Sequence, residues 1–258
     1  MKKLLAVMLL LSIAFAAQAE DGYRLWLRYN KIGDASLLAN YKKQLGKVYF
    51  AGDSETIRAA KDEWKLAAAG LLTQSANFTS AEKAQLIAGN AAQLSALDLS
   101  INTADLQKAG EEGFIIFNTP AQNKIIITAK SDVGVLYGLY HFLRLMQTQQ
   151  PLQKLNIVST PAIKLRLLNH WDNLDRTVER GYSGASIWNW HTLPTYIDKR
   201  YTDYARANAS IGINGTVLTN VNANALVLTP AYLQKVKALA DVFRVYGIKV
   251  YLTARFSA

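Results

Sequence analysis

Apolar and polar positions along this chain follow two periods, one near two and one near 3.6, and they change places at short polar punctuation. Lys47 to Phe50 (KVYF) is a short apolar strand ended by Ala51-Gly52-Asp53. Ser54 can cap the helix that follows, whose apolar face is Ile57, Ala60, Trp64, Ala67, Ala68 and Leu71. A second helix is expected after Thr79-Ser80, with Lys83 in its first turn and Leu86 and Ile87 turned inward. Gly113 to Asn118 and Lys124 to Ala129 are apolar runs around a Pro120 turn, which predicts a hairpin. Asp132 then leads into a helix through Val135, Leu139, Phe142 and Met146, in which Gly134 and Gly138 predict close helix–sheet packing. Tyr23, Trp26 and Tyr29 sit in a segment, 20 to about 45, read as an extended arm that packs its aromatics on a later domain.

The pattern changes after Gln147 to Pro151. Lys164 to Asn169 is a strand. A helix after Pro194 runs through Tyr196, Ile197, Tyr201, Tyr204 and Ala209, and Gly215 to Thr219 is the next strand. Thr229 and Pro230 open a helix expected to bury Leu233, Val236, Leu239, Ala240 and Phe243; Gly247 stops it before the strand Ile248 to Thr253. The order β-α-β-α-β with apolar strands predicts a parallel sheet covered on both faces. The fold class is therefore α/β, with an α/β sandwich in 20–150 and a parallel unit in 151–258. Such a unit begins either a doubly wound sheet or a (β/α)₈ barrel. A barrel needs about 250 residues, so here it is expected to be incomplete, with exposed apolar strand edges.

Composition narrows the class. Half of the residues are hydrophobic, which is globular. Lys2 and Lys3, the apolar run Leu4 to Ala16 and Ala17-Gln18-Ala19 read as a signal peptide over 1–19, so the expected location is periplasmic or secreted. No later segment reads as a membrane span. The chain has no cysteine, which excludes disulfides, thiol nucleophiles and thiolate metal sites. The net charge of +10 is scattered rather than clustered; with export this argues against nucleic acid and is compatible with an acidic saccharide.

The segment Asn169 to Trp190, NHWDNLDRTVERGYSGASIWNW, carries the chemistry. Three indoles (Trp171, Trp188, Trp190) stand among His170, Asp172, Asp175, Arg176, Glu179 and Arg180. Flat aromatic faces beside carboxylates and guanidinium groups suit a ring bearing hydroxyls and a negative charge, such as a sugar acid. The segment follows a strand, as do Asn220 to Asn224 and Ala254-Arg255, so all three loops face the carboxyl end of one parallel sheet, where ligands bind. Asp172 and Asp175 have acid/base spacing but read as structural. One of Trp188 and Trp190 is expected to face the core. His170 has no partner at metal spacing and reads as a packing histidine. No metal or organic cofactor is indicated.

The string LLNHWDNLDRTVERGYSGASIWNW resembles the start of the catalytic barrel in family 67 glycoside hydrolases, the α-glucuronidases of xylan breakdown. EDGYRLWLRYN at 20–30, SDVGVLYGLYHFLRLMQ at 131–147, SIGINGTVLTNVNA at 210–223 and YGIKVYLTARFSA at 246–258 continue it collinearly. The resemblance implies a hexosaminidase-like first domain and a TIM barrel after it. It implies release of glucuronic acid or its 4-O-methyl ether from terminal xylose of xylooligosaccharides, by inversion between two carboxyl groups about 6.5–9.5 Å apart. Those carboxylates are expected C-terminal to Ala258, so no catalytic residue is assigned in this chain. What the resemblance carries over is binding: Trp171 on the sugar face, Val221 against the methyl ether, Glu179 on sugar hydroxyls, and Asn173 and Arg180 as further contacts. Arg180 either binds the substrate carboxylate in a bidentate way or orients Glu179. The competing readings are a β-hexosaminidase-like glycosidase, a non-catalytic saccharide-binding fragment, and an assembly surface. Oligomeric state is not read from sequence.

Overall fold

Two sheets organise the chain. A computed structural model describes residues 21–97, 99–119, 121, 124–179, 184–253 and 255; the expected signal segment, Arg180 and Ala254 lie outside the described residues. The first sheet has the order β1-β2-β4-β3-β5, built from β1 (Val48–Phe50), β2 (Leu86–Asn90), β3 (Phe114–Asn118), β4 (Ile125–Ala129) and β5 (Asn156–Ser159). β1, β2 and β4 run parallel, and β3 lies antiparallel between β4 and β5. The expected hairpin is β3–β4, with Ile116 opposite Ile127. β5 joins this sheet from beyond the Gln147–Pro151 punctuation.

β2 corrects the second expected helix. Only a turn forms at 81–83, and Leu86 to Asn90 is a strand. A short apolar run has no period of its own to separate helix from strand. Here parallel partners on both sides, β1 and β4, select the strand. The N-terminal segment is also not extended. Residues 23–28 form turns in which Leu25 takes a positive φ (49°), Tyr29 just after them also takes one (53°), and Ala35–Leu45 is a helix, α1. Asp34 caps it by accepting from the Leu37 N–H at 2.8 Å, and Tyr41 and Leu45 are its buried residues, one turn apart. Its aromatics do reach the later domain: the Tyr23 hydroxyl donates to Asp203 at 3.0 Å and the Trp26 indole to Ser210 at 2.5 Å.

α2 (Glu55–Leu71), capped by Ser54, packs on α5 (Asp132–Gln147), and α5 lies on β2, β3 and β4. α3 (Ala91–Ser95) and α4 (Thr103–Ala109) are short. Ile125 and Ile127 enter the main core, and Ile126 enters a smaller cluster with Ala51, Ile87 and Leu94. Strand alternation therefore feeds two apolar layers. The two glycines of α5 act as read from sequence. A Cβ at Gly134 would meet Ala129 Cβ and Gly113 O at 2.6 Å, and one at Gly138 would meet Ile127 Cγ2 at 2.8 Å.

The second sheet is β6 (Leu167–Asn169), β7 (Gly215–Val217) and β8 (Lys249–Tyr251), all parallel and in that order. The connections are helices: α6 (Lys199–Ala209), and α7 (Pro230–Arg244) preceded by a 3₁₀ turn at Ala225–Leu228. The β-α-β-α-β reading holds. Cover on both faces holds only for β7, whose three residues are buried; Leu167 and Leu168 on β6 are exposed, as are Ile163 and Leu165 before it. An edge strand has one lateral neighbour, so apolar character alone does not bury it. α6 starts later than expected, at Asp198, and leaves Tyr196 and Ile197 exposed. Thr229 occupies the N-cap position of α7 without capping it, because its hydroxyl donates back to Leu226 O at 2.7 Å. Leu233 on that helix is exposed, contrary to expectation.

One carboxylate joins the two halves. Glu63 on α2 is 2% exposed and accepts from Arg206 Nε and Nη2 on α6, both at 2.9 Å. It also accepts from the Tyr29 hydroxyl at 2.6 Å and the Tyr140 hydroxyl at 3.1 Å. Burial, reinforced by the Glu63 charge, pushes the ionisation of both tyrosines well up, so both remain donors. Burial alone would weaken the Arg206 charge, and the Glu63 contact more than restores it.

Glu63→Ala is expected to destabilise the chain by about 3–5 kcal/mol, because it strands a buried guanidinium. Glu63→Met combined with Arg206→Met should lose less than either single change in urea denaturation; additive losses would refute the pairing. Gly138→Ala, which in an ordinary helix stabilises by about 1 kcal/mol, is expected here to destabilise by about 1–3 kcal/mol through overpacking. A raised melting temperature would contradict the close contact with Ile127.

Candidate functional site at the carboxyl end of the parallel sheet

The loops after β6 and β7 meet at one end of the second sheet. Asn220 N–H donates to Asp172 O at 3.1 Å, and the Asn220 side-chain amide donates to Asn173 Oδ1. Asn220 Oδ1 turns back to accept from Asn222 N–H at 2.6 Å. The end of β8 is tied in as well. Thr253 Oγ1 donates to Thr219 O at 2.8 Å and lies 2.5 Å from Asn220 O, and Arg255 N–H donates to Ala223 O at 3.0 Å. The three strand ends thus share one hydrogen-bonded rim.

The loop after β6 folds on itself. Glu179 N–H donates to Trp171 O at 2.8 Å, and Asp172 bridges Val178. Asn173 Nδ2 donates to Thr177 Oγ1 at 2.9 Å. Trp171, Asn173 and Glu179 are half-buried on this loop, and Val221 on the neighbouring loop is 49% exposed. The structure therefore gathers Trp171, Asn173, Glu179 and Val221 on loops joined by hydrogen bonds. Arg180 lies outside the described residues.

The two aspartates separate in role. Asp175 is exposed and its carboxylate accepts from Thr177 N–H at 2.9 Å and Thr177 Oγ1 at 2.7 Å, which holds its pKa below the usual value. It is a turn residue. Asp172 is 2% exposed, and its Oδ1 has no hydrogen bond among the described residues and lies 4.0 Å from His170 Nδ1. They do not form an acid/base pair across a cleft.

Beneath the rim lies a layer of aromatic rings between sheet and helices. Trp188 and Trp190 are both fully buried, whereas the sequence pattern places only one of them in the core. Their positions do not follow a strand, so the period-two expectation for Trp188 and Trp190 does not apply. Trp188 packs edge-on against Tyr204 and Phe243, with centroids 5.1 and 5.6 Å away. His170 packs on Trp188 at 5.3 Å, and its Nε2 lies 2.8 Å from the Tyr204 hydroxyl, which lies 2.9 Å from Thr216 Oγ1. His170 is a packing residue, as its isolation in sequence implies. The Asp172–His170–Tyr204–Thr216 series has no sequence signature, because its members come from a loop, a helix and a strand. Burial lowers the His170 pKa and the Asp172 charge opposes this; burial pushes Tyr204 up to about 12. Among the described residues no group of three or more His, Cys, Asp or Glu could hold a metal ion, and no helix is long and apolar enough to cross a membrane.

His170 and His141 both have pKa values lowered by burial from 6.5. The unfolded chain then takes up protons before the folded one, so stability is full above about pH 6.5 and declines as the pH falls below it. The melting temperature should drop between pH 7.5 and 5.5, and the drop should shrink in His170→Asn. An undiminished drop in that variant would rule His170 out as its source.

Residues 25–142 match the family model described as the glycosyl hydrolase family 67 N-terminus, and residues 145–258 match the family 67 middle domain. Alpha-glucuronidase A of Emericella nidulans is 30% identical over 257 residues, covering 95% of this chain and 30% of that protein. A probable alpha-glucuronidase A of Aspergillus fumigatus is 36% identical over 137 residues, covering 53% of this chain and 16% of that protein. The chain thus spans less than a third of the length of these relatives. Among solved structures, a family 115 4-O-methyl-α-glucuronidase with specificity for decorated arabinogalactans has a TM-score of 0.54 at 15% identity, over 80% of this chain and 28% of that one. A family 138 enzyme targeting pectin rhamnogalacturonan II has a TM-score of 0.52 at 16% identity, over 78% and 24%. These two likenesses speak to the fold. The two family models lie end to end along the chain and the similarity to the Emericella protein is collinear with them, so the chain belongs to glycoside hydrolase family 67.

Proposed function

We propose that this chain is the substrate-binding portion of an exported α-glucuronidase. Its substrate is a xylooligosaccharide whose terminal xylose carries glucuronic acid, or the 4-O-methyl ether, in α-1,2 linkage. Membership of family 67 and the name of the Emericella relative support a glucuronic-acid-containing substrate. The observation that carries the finer reading is the rim itself: Trp171, Asn173 and Glu179 share one self-bonded loop, and Asn220 ties that loop to Val221. In this reading the indole of Trp171 excludes water from the C–H face of the sugar acid, and Val221 meets its methyl ether. Glu179 and Asn173 take hydroxyl hydrogen bonds, and Arg180 takes the carboxylate. The three parallel strands open a (β/α)₈ barrel. Hydrolysis inverts the anomeric centre. One carboxyl group protonates the leaving oxygen, and another, about 6.5–9.5 Å away, activates water. Both come from strands other than β6, β7 and β8, so the chain by itself binds without cleaving.

Calorimetric titration with a glucuronosyl xylooligosaccharide, and with the same oligosaccharide lacking the acid, tests the reading. The decorated sugar should bind and the plain one should not. Trp171→Ala should weaken binding by about 1–3 kcal/mol, the loss expected of one large apolar contact. The longest natural product containing this chain should release glucuronic acid, and the chain alone should release none. Equal affinity for the two sugars, or Trp171→Ala binding like the parent, would defeat it.

A further inference from the structure

A cavity lies at the end of the parallel sheet opposite the rim, in the seam between the two halves. It has a volume of about 230 Å³ and is lined from the first half by Glu112, Phe114, Tyr137, His141 and Arg144. Arg166, Ile211 and Gly212 line it from the second half. Arg166 precedes β6 and Gly212 precedes β7, so the cavity opens at the amino ends of strands whose carboxyl ends carry the rim. Seams between domains are common places for small-ligand sites.

Its polar groups divide into two sets. Arg166 is committed. It donates to Gly212 O, to Ile163 O at 2.5 Å, and to Glu112 Oε2 at 2.5 Å. Asn214 Nδ2 also donates to Glu112, at 2.8 Å. The Glu112 charge is therefore neutralised within the protein. In the second set, His141 and Arg144 are unspent. Tyr137, His141 and Arg144 sit at i, i+4 and i+7 of α5, on one stripe of the helix. Tyr137 is 6% exposed, with its hydroxyl buried beside Arg166, and belongs to the wall of the cavity. His141 packs on the Phe114 ring at 5.3 Å, and its ring nitrogens bond to no other described residue. Arg144 uses Nη2 to donate to Ser210 O at 3.1 Å, which leaves most of its five donors available.

We propose that this cavity is a binding site for a small ring compound bearing one carboxylate, of the class of a free uronic acid. The spare charge is a single guanidinium, Arg144, because Arg166 and Glu112 cancel; it matches a monoanion. The planar fork of a guanidinium suits a planar carboxylate better than it suits a lone point charge. Phe114 and Ile211 supply an apolar wall for the C–H face of a ring. His141 supplies hydroxyl-directed hydrogen bonds. Burial first, and then the Arg144 charge, lower the His141 pKa, so its ring is neutral at pH 7 and can both donate and accept. Glu112, Arg166 and Tyr137 are the other ionisable groups lining that space. The volume falls below the range of about 300–1,000 Å³ that holds drug-sized ligands, which limits the occupant to about one sugar unit. The proposal does not depend on the proposed function, since no rim residue takes part.

The test uses the chain carrying Trp171→Ala, so that binding at the rim is weakened and the Arg144 and His141 readouts report the cavity. Glucuronate should bind saturably at one site by calorimetry, while glucose, acetate and inorganic phosphate bind at least tenfold more weakly. Arg144→Gln, at an exposed position, should cut glucuronate affinity tenfold or more with an unchanged circular dichroism spectrum. In the parent chain, saturation should shift the His141 imidazole proton resonance, identified by its loss in His141→Gln. Glucose binding as tightly as glucuronate would overturn charge recognition, and phosphate or acetate binding as tightly would overturn the ring carboxylate. Absence of saturable binding, an unmoved His141 resonance, or full affinity in Arg144→Gln would each overturn the site.

Discussion

The Glu63 carboxylate is the constraint on which the rest of the molecule depends. It is buried on α2, yet every hydrogen bond it accepts from Tyr29, Tyr140 and Arg206 comes from a different element. A charge taken out of water is tolerated only where its lone pairs are filled and its countercharge is fixed. The N-terminal turns, α5 and α6 are therefore held in register about one point. The guanidinium contributes two near-parallel bonds, so it sets an orientation as well as a distance. Thr56 donating to Val245 O at 2.8 Å and Arg144 donating to Ser210 O at 3.1 Å extend the same seam. Both sheets are positioned by this polar junction, with apolar packing filling the space around it.

The aromatic residues of 169–190 split into two classes that composition does not distinguish. Trp188 and Trp190 are scaffold: both are fully buried, Trp188 braces His170 and Tyr204, and Trp190 packs on Tyr232. Trp171 stays half-buried at the rim. Among the described residues the scaffold indole N–H groups have no hydrogen-bond partner, a cost that a tightly packed layer offsets through dispersion and apolar burial. Rigid rings beneath the rim hold the loop that carries Trp171, Asn173 and Glu179. Its own hydrogen bonds then fix its local shape.

The two ends of the parallel sheet carry different chemistry for a topological reason. Parallel strands place all their carboxyl ends on one side, so loops from separate strands converge there and are joined by Asn220 and Thr253. The amino ends converge on the first half instead. There Arg166 and Asn214 meet Glu112, and the α5 stripe of Tyr137, His141 and Arg144 faces the second half.

Much of this was legible in the chain before folding. The β3–β4 hairpin, α2, α5 and the β-α-β-α-β order follow from period, caps and punctuation, which are local properties. Gly134 and Gly138 announced a close approach because only a missing Cβ allows it. The rim segment announced itself by an unusual mixture of indoles and charges. What local patterns do not contain is the identity of neighbours. β2 is a strand because β1 and β4 flank it, and α1 is a helix with only Tyr41 and Leu45 buried, too sparse a stripe to read. Which indoles are buried, why β6 stays exposed while β7 does not, and how Glu63 finds Arg206 across 143 positions depend on contacts between distant segments. Burial belongs to a side chain and its surroundings together, and the surroundings exist only once the chain has closed on itself.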